Sequence, residues 1–143
     1  MAQNAERRLK TGTIKQKVMI PNSTPASIYK ALLSSKEHSE ITGSPAKISA
    51  VAGRKFSAWD GYITGKNVSL EKGAKIVQEW RTTEFPEGYG PSIVRITLRR
   101  KEDSTEISLI QSRVPASQLK KYGEGWYSAY WKPMKKYFKG KNS

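Results

Sequence analysis

The chain has 143 residues and a formal net charge of +14 at pH 7, with 26 lysines and arginines against 12 aspartates and glutamates. This length predicts one domain, and because the chain has no cysteine, disulfides, thiolate metal ligands and thiol catalysis are excluded. No run of 18 apolar residues and no apolar leader occur, so we expect a cytoplasmic protein that does not cross a membrane.

The N-terminal region predicts a flexible lead-in followed by one strand. Residues 1–11 are polar and basic and form the lead-in. From Ile14 to Ile20 the apolar side chains fall on alternate positions, a pattern typical of a strand with one face in water. Pro21 ends this strand, since proline cannot donate to a sheet.

Two short helices are predicted next. Thr24 followed by Pro25 is the pattern of an N-cap with proline at the first helical position, and this helix runs through Leu33. Ser34 and Glu37 have the spacing of a capping box for a second helix. Gly43 ends that helix.

The middle of the chain predicts six consecutive strands. Asp60-Gly61 predicts a two-residue hairpin turn between the second and the third of them. Short strands joined by tight turns are expected to be antiparallel neighbours. The predicted strands are Ala46–Val51, Lys55–Trp59, Tyr62–Leu70, Ala74–Thr83, Ser92–Arg100 and Thr105–Val114.

The C-terminal region predicts one long helix over Ser117–Phe138, with half of the chain's aromatic residues between Tyr122 and its end. Large apolar side chains recur on one face every four residues. They are Tyr122, Trp126, Tyr130, Met134 and Phe138. Pro133 is expected to kink or restart the helix.

A helix so rich in rings must cover the dry face of the sheet. The element order therefore predicts an α+β helix-grip fold: a curved, six- to seven-stranded antiparallel sheet, two short helices and one long C-terminal helix. We expect a single domain over residues 12–139, followed by a tail at 140–143.

A series of short motifs resembles a known family over Ile14 to Phe138. The matching segments are Gly53–Phe56, Asp60-Gly61, Gly65, Ile76, Glu79–Arg81, Phe85–Gly88, Ile96–Leu98, Gly125-Trp126, Tyr130 and Met134-Lys135. They resemble the homologues of the activator of the ninety-kilodalton heat-shock protein ATPase, in the START-like (SRPBCC) superfamily. Ile41 departs from the pattern, because the family usually has an aromatic residue before the Thr-Gly pair.

This resemblance implies a START-like fold of the kind seen in the birch-pollen allergen, with a cavity between the sheet and the last helix. It also implies that eukaryotic relatives stimulate the chaperone ATPase with two domains. The chain resembles the C-terminal type of domain alone, so a co-chaperone-like role in the stress response is implied, without ATPase stimulation being carried over.

The residues offer little for catalysis. His38 is the single histidine and is expected to be an ordinary surface residue on a polar helix. Glu79 and Arg81 are expected to form a solvated cross-strand ion pair. No nucleophile–base or phosphate-loop motif is present, so we expect a protein that is not an enzyme and has no cofactor and no metal.

Binding is the remaining class of function. The first candidate is a co-chaperone-like domain, and the alternative is a carrier or sensor of a small hydrophobic ligand, held in a cavity between the sheet and the last helix. Its polar points would be Gln78 and the Tyr130 hydroxyl. The alternative is that the same side chains fill a solid core. The candidate lining residues are Phe56, Ala58, Ile76, Gln78, Trp80, Trp126, Tyr130 and Met134.

The second candidate site is a basic face that would dock an acidic chaperone surface. The alternative is a merely solvated surface. Nucleic-acid binding ranks third, because no recognition module accompanies the charge. The candidate residues are Lys15, Lys17, Lys132, Lys135, Lys136 and Lys139. We expect a monomer that binds either the chaperone or a small hydrophobic ligand.

Overall fold

The computed structural model describes residues 9–141, so residues 1–8 of the predicted lead-in and 142–143 of the predicted tail lie outside the described residues. The first strand already begins at Thr11, and the last helix continues to Lys141. The elements are β1 (Thr11–Pro21), α1 (Pro25–Leu33), α2 (Ser35–Thr42), β2 (Lys55–Ala58), β3 (Ile63–Glu71), β4 (Lys75–Thr82), β5 (Ser92–Lys101), β6 (Ser104–Pro115), α3 (Leu119–Trp126), a π-helical turn (Tyr127–Trp131) and α4 (Lys132–Lys141).

The six strands form one curved antiparallel sheet in the order β1-β6-β5-β4-β3-β2. Strands β2 to β6 are sequential neighbours, whereas β1 crosses over to pair with β6. The two short helices connect β1 to β2, and the long C-terminal helix closes the fold. This architecture confirms the predicted helix-grip fold with six strands.

The core lies between the inner face of the sheet and the C-terminal helix. Directly opposite residues of antiparallel strands share a face. Ile76 pairs with Ile96, which in turn pairs with Leu109, so a buried apolar row crosses three strands. The predicted stripe of the last helix is buried against it, from Tyr122 to Phe138.

Both predicted helix starts are confirmed by their caps. The Thr24 hydroxyl accepts a hydrogen bond from the Ser27 backbone N–H at 3.1 Å, and the Ser27 hydroxyl accepts one from the Thr24 N–H. The Ser34 hydroxyl accepts from the Glu37 N–H at 3.2 Å. Gly43 ends α2 with a φ of 76°, a left-handed conformation that glycine adopts without a steric cost.

The predicted strand Ala46–Val51 is wrong, because only an isolated bridge between Lys47 and Ser57 forms there. Side chains take the place of a strand partner for this segment. The Asn67 amide donates to the carbonyls of Ser49 and Val51, at 2.7 and 3.1 Å. Backbone groups that are satisfied in this way do not need a sheet ladder.

The two-residue hairpin predicted at Asp60-Gly61 is also wrong. The connection from β2 to β3 spans Trp59–Tyr62, and its first three residues have φ values of 54°, 55° and 89°. A left-handed conformation is unusual for a residue as bulky as Trp59. The Asp60 N–H donates to the Pro45 carbonyl at 2.9 Å, which holds the loop against the chain that leaves α2.

The C-terminal helix changes its winding close to Pro133, where a disturbance is expected. Residues Tyr127–Trp131 form the π-helical turn, closed by a bond from the Lys132 N–H to the Tyr127 carbonyl. Pro133 has no N–H to donate to the preceding turn, so a local widening of the helix at this point is expected. Regular α-helix resumes at Lys132.

Candidate functional site

A cavity of about 360 Å³ lies between the C-terminal helix and the end of the sheet formed by β2, β3 and β4. Six aromatic rings dominate its walls. The lining residues are Trp59, Tyr62, Ile63, Trp80, Lys121, Tyr122, Gly125, Trp126, Ala129 and Tyr130. Trp80, Trp126 and Tyr130 are among the eight candidates from the sequence.

The structure places the other five candidates away from this cavity. Phe56, Ala58 and Ile76 are buried in the sheet core. The Phe56 ring lies so close to Gly65 that a Cβ added to Gly65 would lie 2.6 Å from the ring. Gln78 donates its amide N–H to Asn67 at 2.9 Å instead of facing a ligand. Met134 is fully buried beside Tyr130.

The aromatic walls form one connected cluster. Trp80 of β4 meets Tyr122 edge to face at 5.2 Å between ring centroids and lies 5.9 Å from Trp126. Trp126 lies 5.0 Å from Tyr130 on the same helix. Such ring pairs contribute roughly 0.5–1.5 kcal/mol each beyond their buried area, so the wall rings stabilise one another.

Polar bonds anchor the wall rings from behind. The Trp126 indole N–H donates to the Gln111 side chain at 2.8 Å, and Gln111 donates in turn to Ser92 at 2.9 Å. The Tyr122 hydroxyl is 2.6 Å from the Thr82 hydroxyl. These rings therefore present apolar surface to the cavity. Burial raises the pKa of Tyr122 to about 12, so its phenol stays protonated.

His38 is buried, so the expectation of an exposed surface histidine is wrong. Its Nδ1 lies 3.1 Å from the Leu32 carbonyl and its Nε2 lies 3.0 Å from the Tyr130 hydroxyl. A carbonyl only accepts, so Nδ1 carries the proton and Nε2 accepts from Tyr130. Burial lowers the pKa of His38, which keeps the ring neutral, and burial raises the pKa of Tyr130.

The sequence does contain a signal for this burial. His38 and Ile41 are three residues apart on α2 and so share one face, and they are the two buried residues of that helix. From the sequence alone, Ile41 stands out only as a departure from the family pattern. His38 consequently acts as a support behind Tyr130, and in this position it has no access to the cavity as a catalytic base.

A polar cluster closes the rim of the cavity. The Glu84 carboxylate accepts a hydrogen bond from the Tyr62 hydroxyl and pairs with the Lys121 ammonium. The bond from Lys121 is the largest influence that lowers the pKa of Glu84, and the bond to Glu84 raises the pKa of Lys121. Sequence reasoning missed this cluster, because its members come from the loop before β3, the loop after β4, and α3.

Two small residues make room for the cavity. Gly125 and Ala129 lie one helical turn apart and both face it. A Cβ built on Gly125 would meet no atom within 4 Å, so no packing contact requires glycine there. A glycine in the middle of a helix costs about 0.5–1 kcal/mol relative to alanine. Glycine at position 125 therefore lowers the stability of the helix but leaves the space beside it open to the cavity.

The candidate basic residues fall into two groups. Lys15 and Lys17 are exposed on β1, at the edge of the sheet. Lys132, Lys136 and Lys139 are exposed on α4, and Lys135 is half-buried with its ammonium 5.7 Å from the centre of the Tyr127 ring. Lys17 and Lys135 line one groove between β1 and the last helix.

The other predicted polar pair does not form. Glu79 and Arg81, which both lie within residues 9–141, make no ion pair with each other. Arg81 donates to the Tyr89 carbonyl at 3.1 Å and its guanidinium lies 5.5 Å from the centre of the Phe85 ring. Within residues 9–141 no group of three acidic or histidine side chains could hold a metal ion, and no helix is long and apolar enough to cross a membrane.

Comparison with known proteins identifies the family. The family model described as activator of Hsp90 ATPase homolog 1-like protein matches residues 22–139. The chain belongs to this family. The motifs from Gly53 to Lys135 that indicate it in the sequence lie within the matched range.

The relatives agree with this assignment. The human activator of 90 kDa heat shock protein ATPase homolog 1 is 28% identical over 116 residues, which are 81% of this chain and 34% of the human protein. A homologue from Dictyostelium discoideum is 28% identical over 72% of this chain and 27% of its own length. The chain therefore spans about a third of the length of the curated relatives it matches.

Among solved structures, an HSP90 activator from Plasmodium falciparum has a TM-score of 0.72 and 22% identity. The match covers 84% of this chain and 89% of that one. At this identity the likeness supports the shared fold.

Proposed function

We propose that this member of the activator family is a non-enzymatic binding domain that takes a small, flat, apolar molecule into the ring-lined cavity. The observation that carries the proposal is the cavity itself, because it is walled by six rings. Its volume of about 360 Å³ lies within the usual range for small-molecule sites, roughly 300–1,000 Å³.

The wall chemistry narrows the class of ligand. The polar atoms of Tyr122, Trp126 and Tyr130 are bonded to partners behind the walls, and Lys121 is neutralised by Glu84 at the rim. An anionic ligand would lose its hydration without gaining a partner inside. A cationic ligand could contact the ring faces, but it would be repelled by a protein with a net charge of +14. A neutral ligand with flat faces would instead stack on the rings.

Tryptophan fluorescence tests this proposal, since Trp59, Trp80 and Trp126 all line the cavity. We expect the neutral, flat probe N-phenyl-1-naphthylamine to quench it in a saturable manner, with an affinity nearly independent of salt. Absence of quenching by this and similar neutral probes would contradict the proposal.

A second candidate function is docking on an acidic chaperone surface, as a cytoplasmic, monomeric co-chaperone-like domain. The family supports it, because its relatives from human and Dictyostelium discoideum are named as homologues of the activator of the 90 kDa heat shock protein ATPase. The net charge of +14 also supports it.

Charge reversal tests this second candidate. We expect Lys135→Glu with Lys136→Glu to slow association with a 90 kDa heat shock protein and to reduce the salt dependence of binding. The matched control is Lys55→Glu with Lys66→Glu, two exposed lysines that face each other at the opposite edge of the sheet. Equal effects of the two pairs would show general charge attraction in place of a docking face.

A further inference from the structure

We propose that the free edge of β1, together with the groove beside it, binds an extended acidic segment of a partner protein by strand addition. The proposal goes beyond the cavity and assigns a binding mode to the basic residues. It rests on the second candidate function only in that the partner is an acidic protein.

The edge of β1 offers backbone groups for pairing. β1 is the outermost strand of the sheet and runs for 11 residues beside β6. Within residues 9–141 no other strand pairs with it. Every second residue of an edge strand turns its N–H and C=O away from its neighbour, which makes the edge a template for another chain.

A groove of about 430 Å³ runs along this edge, between β1 and the C-terminal helix. Met19 and Tyr127 line it with exposed fractions of 41% and 52%, although both are large apolar side chains. Exposed apolar groups clustered beside a free strand edge are typical of a docking surface. The remaining lining residues are Gln16, Lys17, Val18, Trp131 and Lys135.

Charge determines which kind of segment fits. Lys15 and Lys17 project from β1, and Lys135 lines the far wall of the groove. The carboxylate nearest in register is Glu106, opposite Met19 on β6, and Arg99 lies opposite Glu106 on its other side. The residues that line the groove therefore include two lysines and no carboxylate. The fitting segment alternates acidic with apolar residues, since side chains of a strand alternate between faces.

A second copy of this chain is a poor occupant of the same edge. Each copy carries a charge of +14, and two β1 strands would bring their lysines together. Lysines on an edge strand also protect it from self-association. If the lysines served only to prevent self-association, an acidic segment would bind through charge attraction alone, without backbone hydrogen bonds to β1. Blocking the backbone of the segment would then leave its affinity unchanged.

The test uses a labelled peptide of about ten residues that alternates Glu with Val, enough to cover most of β1. Two further forms of the peptide are each blocked along one edge: one is N-methylated on every Glu and the other on every Val. Each blocked form therefore lacks the N–H donors of one edge. In strand addition one edge of the peptide pairs with β1. A peptide that binds in one direction, with its Glu side chains on the face of Lys15 and Lys17, presents the backbone groups of only one residue type to β1. We expect one blocked form to lose about tenfold or more in affinity and the other to bind like the parent peptide.

Protein variants locate the site. Lys17→Glu with Lys135→Glu is expected to weaken the parent peptide about tenfold, and Tyr127→Ala several-fold, at low salt. The control pair Lys55→Glu with Lys66→Glu is expected to change affinity by less than about twofold. Circular dichroism confirms that each variant is folded.

Three results would overturn the proposal: no peptide binding at low salt, equal affinity of both blocked forms, or equal effects of the two lysine pairs. If an intact acidic chaperone binds in a salt-dependent manner while the blocked forms do not differ, strand addition fails and the second candidate function stands. If neither binds, both fail.

Discussion

Trp126 shows at the residue scale how a buried ring is held by both packing and a hydrogen bond. Its ring contacts Trp80, Tyr130 and Trp131, and its indole N–H reaches Gln111, which is completely buried. A glutamine in the core is stable only when its amide is bonded, and here both ends are used. The sequence could predict that Trp126 faces inward, but Gln111 as its partner depends on how the helix crosses β6.

Trp126→Ala is predicted to reduce the free energy of unfolding by about 3–5 kcal/mol, because it leaves a cavity in the aromatic cluster and leaves the buried Gln111 amide oxygen without its donor. Urea denaturation measures the change. Tyr127→Ala is the matched control on the next residue, and since that ring is half-exposed we expect a loss of less than about 1 kcal/mol. Similar losses in both variants would contradict the role of Trp126.

His38 predicts a loss of stability in mild acid. Its folded pKa lies below the ordinary value of 6.5, so as pH falls from 6.5 the unfolded chain takes up a proton before the folded one does. The contribution of His38 to the free energy of unfolding is then fully present above pH 6.5, and it declines as the pH falls toward the folded pKa. His38 is the only histidine, so this window reports on a single side chain.

Urea unfolding of the parent and of His38→Gln at about pH 8 and about pH 5.5 measures the effect. We expect the variant to be less stable than the parent at the higher pH, because the bond to Tyr130 is disturbed. The difference between the two proteins should shrink at the lower pH, since only the parent carries a protonation cost there. A difference that is constant across this range would contradict a buried neutral His38.

At the scale of elements, the Asn67 side chain provides hydrogen bonds that a neighbouring strand would otherwise provide. It is completely buried, and its amide N–H groups bond to the Ser49 and Val51 carbonyls. Its amide oxygen accepts from Gln78 at 2.9 Å. Asn67 of β3 thus holds the end of the segment between α2 and β2, while the Ser35 hydroxyl bonds both backbone groups of Ile48. The alternation in the sequence predicts this segment to be a strand.

Asn67→Asp is predicted to destabilise the fold by roughly 2–4 kcal/mol, because a carboxylate would face two carbonyl oxygens without a donor. Ser69→Ala, an exposed position on the same strand, is the control and should change stability by less than about 0.5 kcal/mol. Hydrogen exchange locates the loss: the amides of Gly53 and Ser57 should exchange faster in the Asn67→Asp variant than in the parent. Unchanged exchange there would show that Asn67 does not hold the segment.

The elements also show what could be predicted from the sequence. Five of the six predicted central strands have bounds within one residue of those observed, because alternation and turn residues define them locally. The segment Ala46–Val51 alternates in the same way, yet its backbone is bonded by side chains distant in sequence, including Asn67, sixteen or more residues later. Caps at Thr24 and Ser34 were predictable because each involves residues within one turn.

For the candidate site, the sequence could indicate which side chains share a face of a strand. It could not indicate how far along the strand the cavity lies. Trp80 and Ile76 share one face of β4, but only Trp80 lies near the end where the sheet and helix separate into a cavity. Trp59 enters from a loop with a left-handed backbone, which no period-two pattern predicts. The rim pair of Glu84 and Lys121 likewise joins residues that are distant in sequence.

At the scale of the whole molecule, two surfaces with opposite chemistry lie on one helix. The side that contains Gly125 and Ala129 faces an apolar cavity, and the side that contains Tyr127 and Lys135 faces a basic groove at β1. Binding at the cavity is predicted to be nearly independent of salt, whereas binding at the groove is predicted to weaken steeply as salt rises. Titration of each probe at low and high salt separates the two sites in the same protein.

The most direct test of the cavity compares N-phenyl-1-naphthylamine binding to the parent, Gly125→Ala and Gly125→Leu. Nothing lies within 4 Å of the added Cβ, so we expect Gly125→Ala to bind the probe and to gain about 0.5–1 kcal/mol in stability from its better helix propensity. Leucine at this position would fill the space between the rings, so Gly125→Leu is predicted to remain folded and to lose probe binding. Parent-like binding by a folded Gly125→Leu would show that the ligand does not enter this cavity.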